Sequence, residues 1–493
     1  MTSPLYAVID LGSNSFHMLI TRQLADSVQI VDKIKRKVRL ASGLNTDNML
    51  SDEAIERGLE CMRFFAERLQ DFPKQNIRVV ATATLRLAKN RDVFIEQANQ
   101  ILGHNIQLLS GVEEAKTIYK GVAYTSNIQG NKLVFDIGGA STEIIIGENV
   151  EPLKAMSLDI GCVTFNQTFF NAGALTLSAF ELATAQAKLH INSVISEYQG
   201  LTFDVVLGGS GTMQALAEIL MHQQKPTLID YEFLCAIKQQ LIACKTIDAI
   251  SIGGLDGERI PVFASGLAIL IALFEVFEVK TLRLSSGALR EGLLYDMLPS
   301  AKTVDIAALT INSMMVKYHV EQQQSERVTS IAQQLFNGCV DHWPAIVNDD
   351  YFVVNAACQL HEIGLLIDFK NQQKHGAYIV NNSQMLGFDQ SQKQTLAMLI
   401  AQQKSDIDLQ YLASQLLPLN TCASLLAIVR LAILLASRRH DKHLPTLTLI
   451  SDVDSLTLGF EHAWLASHPL IADELRQEVK QFGKLGIKLN VNT

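Results

Sequence analysis

Two stretches of this chain repeat one another, and each carries a carboxylate at the end of a strand-like run. VIDLGSNSFHMLI opens at Val8 and VFDIGGASTEIII opens at Val134. In both, an aspartate (Asp10, Asp136) is followed by Leu or Ile, a glycine, a small polar loop and a second apolar run. Matched order at matched positions points to a duplicated unit with a ligand between its halves. Gly12, Ser13 and Asn14 form one loop; Gly138, Gly139, Ala140 and Ser141 form the other. A tight turn of such residues aims successive backbone N–H groups to one side and cradles an anion. One loop alone is an ordinary hairpin turn. Two, each preceded by a carboxylate, make a clamp for a phosphate chain and a metal. Asp10, Asp136 and Glu143 would crowd those phosphates with like charge. Mg²⁺ resolves this, because it takes oxygen ligands from few carboxylates plus substrate phosphates.

Phosphoanhydride hydrolysis also needs a carboxylate to orient or deprotonate a water. Glu113 and Glu114 follow Ser110-Gly111 at the start of a helical pattern, and either residue type could serve. Acids in a first helical turn are also plain helix stabilisers. For positive charge, Lys33, Lys35, Lys37 and Arg39 recur at period two and would share one face of a strand. Such a stripe repels itself unless water or an anion lies over it; the bland reading is a lysine-guarded strand edge. Arg86 ends the strand-like ATATLR as it enters a loop, where it could grip a phosphate bidentately. Arg259 and Arg290 are weaker candidates.

The elements that must position these groups follow from periodicity. Leu5–Ile9 and Phe16–Ile20 read as a hairpin, 51–70 as a helix capped by Ser51, and 77–86 as a strand running into a polar loop. A helix over roughly 91–102 follows; then come a strand, a Ser-Gly turn and a helix starting near Glu113. Residues 132–148 repeat the hairpin, 205–216 read as strand, glycine turn and helix, and 285–298 close with a helix. Beyond residue 301 helical spacing dominates, in runs at 301–318, 325–340, 350–366, 391–403 and 422–438. The tail, 444–460, alternates as a small sheet. The expected domains are 1–124, 125–300, 301–440 and 441–493.

Bulk composition bounds the partners. The 493 residues allow about two to four domains. A hydrophobic share of 48% against 18% charged excludes a mainly disordered chain. The net charge of -9 excludes a generally basic nucleic-acid coat, so cations must gather locally. No run reaches the ~18 apolar residues of a membrane span, and the N-terminus lacks the basic start of a signal peptide. Seven scattered cysteines without a CxxC pair fit inert thiols in a reducing, cytoplasmic setting.

The chain resembles the exopolyphosphatase and guanosine pentaphosphate phosphohydrolase family. AVIDLGSNSFHMLI, KIKRKVRLASGL, RVVATATLRLA, SGVEEAKTIYKGV, FDIGGASTE, GGSGTMQAL and GALREGLLYDML carry the resemblance, which extends through CQLHEIG to the terminal segments. It implies an α/β, duplicated actin-like (ribonuclease H-like) ATPase fold, then an all-helical HD-like domain and a small α+β end piece. KRKVRLASGLN, ATATLRLA and CQLHEIGLLIDFK resemble the guanosine pentaphosphate branch, which converts pppGpp to ppGpp in the stringent response. Inorganic polyphosphate is the expected second substrate, and a homodimer the expected assembly. The resemblance also implies Glu114 as the catalytic glutamate, Arg86 as its conserved arginine, Asp136 and Glu143 as metal-associated acids with Asp10 beside them, and the two glycine loops as phosphate binders. Two departures stand out. Ala140 replaces a third glycine, which limits φ there. In the helical part, His361-Glu362 stands where an HD pair is expected, Arg327 and Val328 stand where an upstream histidine is expected, and His375 remains. That part therefore reads as a non-catalytic scaffold. A pure exopolyphosphatase, an actin-like sugar or acetate kinase, and a nucleotide sensor are the alternatives.

Overall fold

The structure is a computed structural model describing residues 4–24, 27–126, 128, 130–298, 305–440, 447–461 and 464–492. The chain forms two compact units, Met1–Ile306 and Ala307–Thr493. The expected boundaries at 300/301 and 440/441 lie outside the described residues.

The first unit holds two sheets of one plan. Strands β1 (Leu5–Leu11), β2 (Phe16–Leu24), β3 (Ser27–Arg36), β4 (Ile77–Ala81) and β5 (Gln107–Leu108) run in the order β3-β2-β1-β4-β5. Strands β6 (Asn131–Ile137), β7 (Thr142–Glu148), β8 (Glu151–Leu158), β9 (Val205–Gly208), β10 (Leu228–Asp230) and β11 (Thr281–Leu284) run in the order β10-β11-β9-β6-β7-β8. In each sheet the three leading strands pair antiparallel and the first then pairs parallel with a later strand. The sequence repeat is thus a repeat of topology; β10 adds an antiparallel edge to the second copy. The first strand of each copy is central, with Ala7, Val8, Ile9 and Leu133, Val134, Phe135 wholly buried, as a strand covered on both faces must be.

Helices cover these sheets. Asp52–Arg68 is capped as expected by Ser51, whose hydroxyl accepts from the Ala54 N–H at 3.3 Å, and its apolar stripe (Ile55, Leu59, Met62, Phe65) enters the first core. Ile260–Val276 is apolar all round and buried between layers of the second core. Gly111–Thr125 begins two residues before the expected start, with Ser110 and Glu113 closing a capping box. The strand expected over 77–86 ends at Ala81, and residues 83–87, most of them expected in that strand, form a short helix instead. The strand carrying the basic stripe stops at Arg36, so Lys37 and Arg39 lie beyond it, and Arg39 takes a left-handed φ of 52°. The four cations therefore do not share a strand face, although all four are exposed.

The second unit packs the helices Gln322–Cys339, Tyr351–Gln359, Gln372–Asn382, Gln390–Gln402 and Leu419–Leu435 around one apolar core. The run expected at 350–366 breaks at Gln359, and a 3-10 turn at Ile363–Leu366 follows. Strands β12 (Leu447–Asp452), β13 (Ser455–Phe460) and β14 (Lys488–Asn492) form a small sheet with helix Pro469–Lys484, an end piece longer than the alternation at 444–460 foretells. Arg430 is only 3% exposed on its apolar helix because Glu478 takes its guanidinium at 2.9 and 2.6 Å. No described helix is long and apolar enough to cross a membrane.

Candidate active site

The two glycine turns face each other. A Cβ on Gly139 would stand 2.9 Å from the Ser13 Cβ and 3.6 Å from the Asn14 nitrogen, so glycine is what allows the approach. The first loop is held from behind: the Ala41 and Arg39 N–H groups donate to the Ser13 and Asn14 carbonyls at 2.9 and 2.8 Å. That pairing also ties Arg39 to the loop it was expected to serve. In the second loop, Gly138 N–H donates to Ser141 O at 2.8 Å, while Gly138 and Gly139 carbonyls accept from Cys162 and Val163 at the start of helix Cys162–Phe169. Ala140 needs no left-handed φ, so the departure from glycine costs nothing in the backbone.

Behind the loops lie the acids. Asp10 sits at the end of β1 with its Oδ1 buried and unpartnered. Burial pushes its carboxyl up to about 6 against the pull of Arg290. Asp136 rises to about 7 through burial and the charges of Glu114 and Asp10. Glu143 also rises to about 7, through burial and Asp136, although Ser157 donates to it at 2.7 Å. Glu114, on the first turn of its helix, is pushed up by burial and by Glu143, with Arg86 opposing. The four carboxylates therefore share one electrostatic pocket. Glu113, the alternative base, is exposed, bonded to Ser110 in the capping box, and held below its usual range by that bond. Of the adjacent pair, only Glu114 points into the site.

Arg86 meets Glu114 directly and also donates to Leu109 O at 3.2 Å. In this state it positions the glutamate rather than an open phosphate site. Two further residues join them. His17 pairs across the hairpin with Asp10 in the register that pairs Glu143 with Asp136. It is the repeat's counterpart of Glu143, and aligning the two copies could have found it. Burial and the neighbouring Arg290, which contacts its Nδ1 at 3.2 Å, hold His17 neutral, near 3. Arg290 arrives on helix Leu289–Met297, which packs tightly on Gly111–Thr125: a Cβ on Gly121 would meet Ala288 O at 1.9 Å, and one on Gly292 would meet Thr117 O at 2.0 Å.

The acids fit a divalent cation of a particular kind. Among the described residues no three His, Cys, Asp or Glu side chains form a ready metal cage, so the expected trio of Asp10, Asp136 and Glu143 is not a closed ligand set. Hard oxygen donors, mutual repulsion and the orphaned Asp10 Oδ1 instead suit an ion completed by phosphate oxygens and water. Beside the loops opens a cavity of about 380 Å³, lined by Ser13, Asn14, Lys37, Arg39, Gln167 and Glu258 among others. Of the stripe, Lys35 and Lys37 reach Glu258, Arg39 lines the cavity, and Lys33 does not line it.

The chain matches the Ppx/GppA phosphatase family over residues 19–301 and that family's domain III over residues 306–479. It is 49% identical over 489 residues to the guanosine-5′-triphosphate,3′-diphosphate pyrophosphatase of Pseudoalteromonas translucida, covering 99% of this chain and 98% of the relative. It is 44% identical over 485 residues to the enzyme of the same name from Aeromonas hydrophila, covering 98% of each. Among solved structures, an exopolyphosphatase from Cytophaga hutchinsonii matches 60% of this chain and 99% of its own, at 24% identity and a TM-score of 0.55. An exopolyphosphatase-like protein matches 60% and 98%, at 25% identity and a TM-score of 0.54. Those likenesses give the fold: duplicated, actin-like halves of the kind described above.

Proposed function

This chain belongs to the Ppx/GppA phosphatase family, in its guanosine-5′-triphosphate,3′-diphosphate pyrophosphatase branch, and we propose that it hydrolyses the 5′-terminal phosphate of pppGpp to give ppGpp and phosphate. The observation that carries the chemistry is Glu114, a buried carboxylate with a raised proton affinity, held by Arg86 beside two facing phosphate loops. Glu114 takes the proton of a water whose oxygen attacks the terminal phosphorus, and the bond from that phosphorus to the bridging oxygen breaks. The electron pair leaves on the ppGpp phosphate. Backbone N–H groups of Gly12–Asn14 and Gly139–Ser141 bind the equatorial oxygens, while the Gly138 N–H closes its own loop on Ser141 O. Arg290 and the Lys35–Arg39 segment supply positive charge further along the substrate. Asp10, Asp136 and Glu143 would hold Mg²⁺, which neutralises developing phosphate charge when bound.

Inorganic polyphosphate is the second substrate of the same clamp, since its terminal group is the same anhydride. The test is phosphate release with Mg²⁺ from pppGpp, GTP, ATP and polyphosphates of several lengths. The expected result is preferential release from pppGpp; cleavage of polyphosphate alone would reverse the choice, and nucleotide binding without release would favour a sensor.

For the second unit we propose an HD-like scaffold without metal chemistry. Arg439 clasps the Glu362 carboxylate that would serve as ligand, and His361 is buried with its Nδ1 on Cys358 O at 2.7 Å. The assembly is proposed as a homodimer, and the seven free cysteines support a cytoplasmic setting.

A further inference from the structure

The basic segment at the end of β3 presents a physical problem that the fold itself answers. Lys35 and Lys37 are close like charges, 39% and 30% exposed, beside the phosphate loop. An anion should lie over them, and one does: Glu258 places one carboxylate oxygen 3.4 Å from Lys35 Nζ and the other 3.2 Å from Lys37 Nζ. The lysines, Lys37 foremost, hold Glu258 below the ordinary carboxylate range, so it stays charged. Glu258 comes from the other half of the duplicated unit, on the turn before helix Ile260–Val276. That turn is pinned by Asp256, whose side chain accepts from the Glu258 N–H at 2.8 Å. The ion pairs thus cross the cleft, and both partners of the Lys37 pair line the same cavity as Ser13 and Asn14.

We propose that Glu258 is a built-in competitor for substrate phosphate, a carboxylate occupying the cation pair that the distal phosphates of a polyanionic substrate must reach. This rests on the phosphohydrolase reading above and goes beyond it, because it assigns a residue that limits affinity rather than one that supplies it. The physics suits a displaceable occupant. Exposed ion pairs are weak individually, whereas a phosphate group brings more charge and more acceptor oxygens to the same two ammonium groups. When phosphate arrives, Glu258 withdraws and the bridge between the halves passes through the ligand. Lys35 also lies opposite His17 in the β2–β3 register, so the exchanged anion sits near the Asp10 side of the clamp.

The test is a double-mutant cycle. Glu258→Gln should lower KM for pppGpp about two- to ten-fold, with kcat changing less than KM. Lys35→Ala should raise KM, and in a Lys35→Ala/Lys37→Ala background the Glu258→Gln effect should vanish. Calorimetric binding of inorganic tripolyphosphate to the same proteins should tighten in Glu258→Gln, independently of turnover. An unchanged or raised KM with unchanged tripolyphosphate affinity, or a gain that persists without the lysines, would overturn the proposal. A wild-type protein that binds tripolyphosphate but releases no phosphate from pppGpp would instead sink the functional reading and leave the competitor role to be judged by the binding arm.

Discussion

At the scale of single residues, the site is a set of carboxylates kept at high proton affinity by burial and by one another. Asp10, near 6, and Asp136 and Glu143, near 7, keep protons in the folded chain that the unfolded chain has released by about pH 4–5. With more protons bound in the folded state, unfolding free energy falls as pH rises from about 4 to about 7. A cation or substrate relieves that penalty only once the acids are charged. Mg²⁺ should therefore raise the melting temperature more at pH 8 than at pH 5, as read by calorimetry; equal shifts at both values would deny a metal role for these acids. Most of this was legible in the sequence, because glycine turns and carboxylates at repeated spacing announce themselves. His17 was not picked out, although the repeat aligns it with Glu143, because its neutral state depends on burial and on Arg290, which lies 273 positions away. Arg86 was legible as a cation, but not as the partner of Glu114, since that contact joins residues 28 apart through a helix the sequence reads as the end of a strand.

At the scale of elements, local pattern and tertiary packing divide the work. Ser51 carries its capping role in the sequence and is found capping, whereas Ser110, read as part of a turn, proves to be the cap of a helix that starts two residues early. The packing of helix Leu289–Met297 on Gly111–Thr125 left only glycines as a clue, and a glycine in a helix has many meanings. Here it permits backbone contact, through Gly121 and Gly292. Because this contact brings Arg290 and Glu114 to one site, Gly292→Val should do two things. The forced separation should cost about 1–3 kcal/mol of stability by denaturant unfolding, and kcat on pppGpp should fall in the protein that remains folded. A stable variant with normal kcat would show that the helix pair does not position the site. The strand carrying Lys33 and Lys35 ended earlier than its alternation suggests, since β2 offers no partner beyond Phe16, which pairs with Arg36. Periodicity continued past the strand's last hydrogen-bonding neighbour.

At the scale of the whole molecule, the acidic net charge conceals a local basic site, and the apolar surface is equally uneven. In the second unit, Leu366, Ile367, Phe369 and Tyr378 are exposed by 51%, 53%, 79% and 66%. Exposed apolar side chains of this size suit a contact surface, and the proposed homodimer would cover them with a second copy. If the proposed dimer forms through this surface, Phe369→Asp should sediment as a monomer at micromolar concentration with its fold unchanged, where the wild type sediments as a dimer; a variant that keeps the wild-type mass would place the interface elsewhere. The duplication and the change to helical texture near residue 301 were legible because they repeat or shift over many residues. The exposed apolar patch was not, because exposure of the LLIDF segment depends on which side of its turn the core occupies.

In the proposed reaction, Glu114 activates the water that attacks pppGpp. The direct measurement is kcat and equilibrium affinity for pppGpp in Glu114→Gln, with folding checked by thermal melting. The amide keeps the shape but cannot take a proton, so kcat should fall by about 10²- to 10⁴-fold while the nucleotide still binds. A folded Glu114→Gln protein that turns over pppGpp at near the wild-type rate would exclude Glu114 as the base.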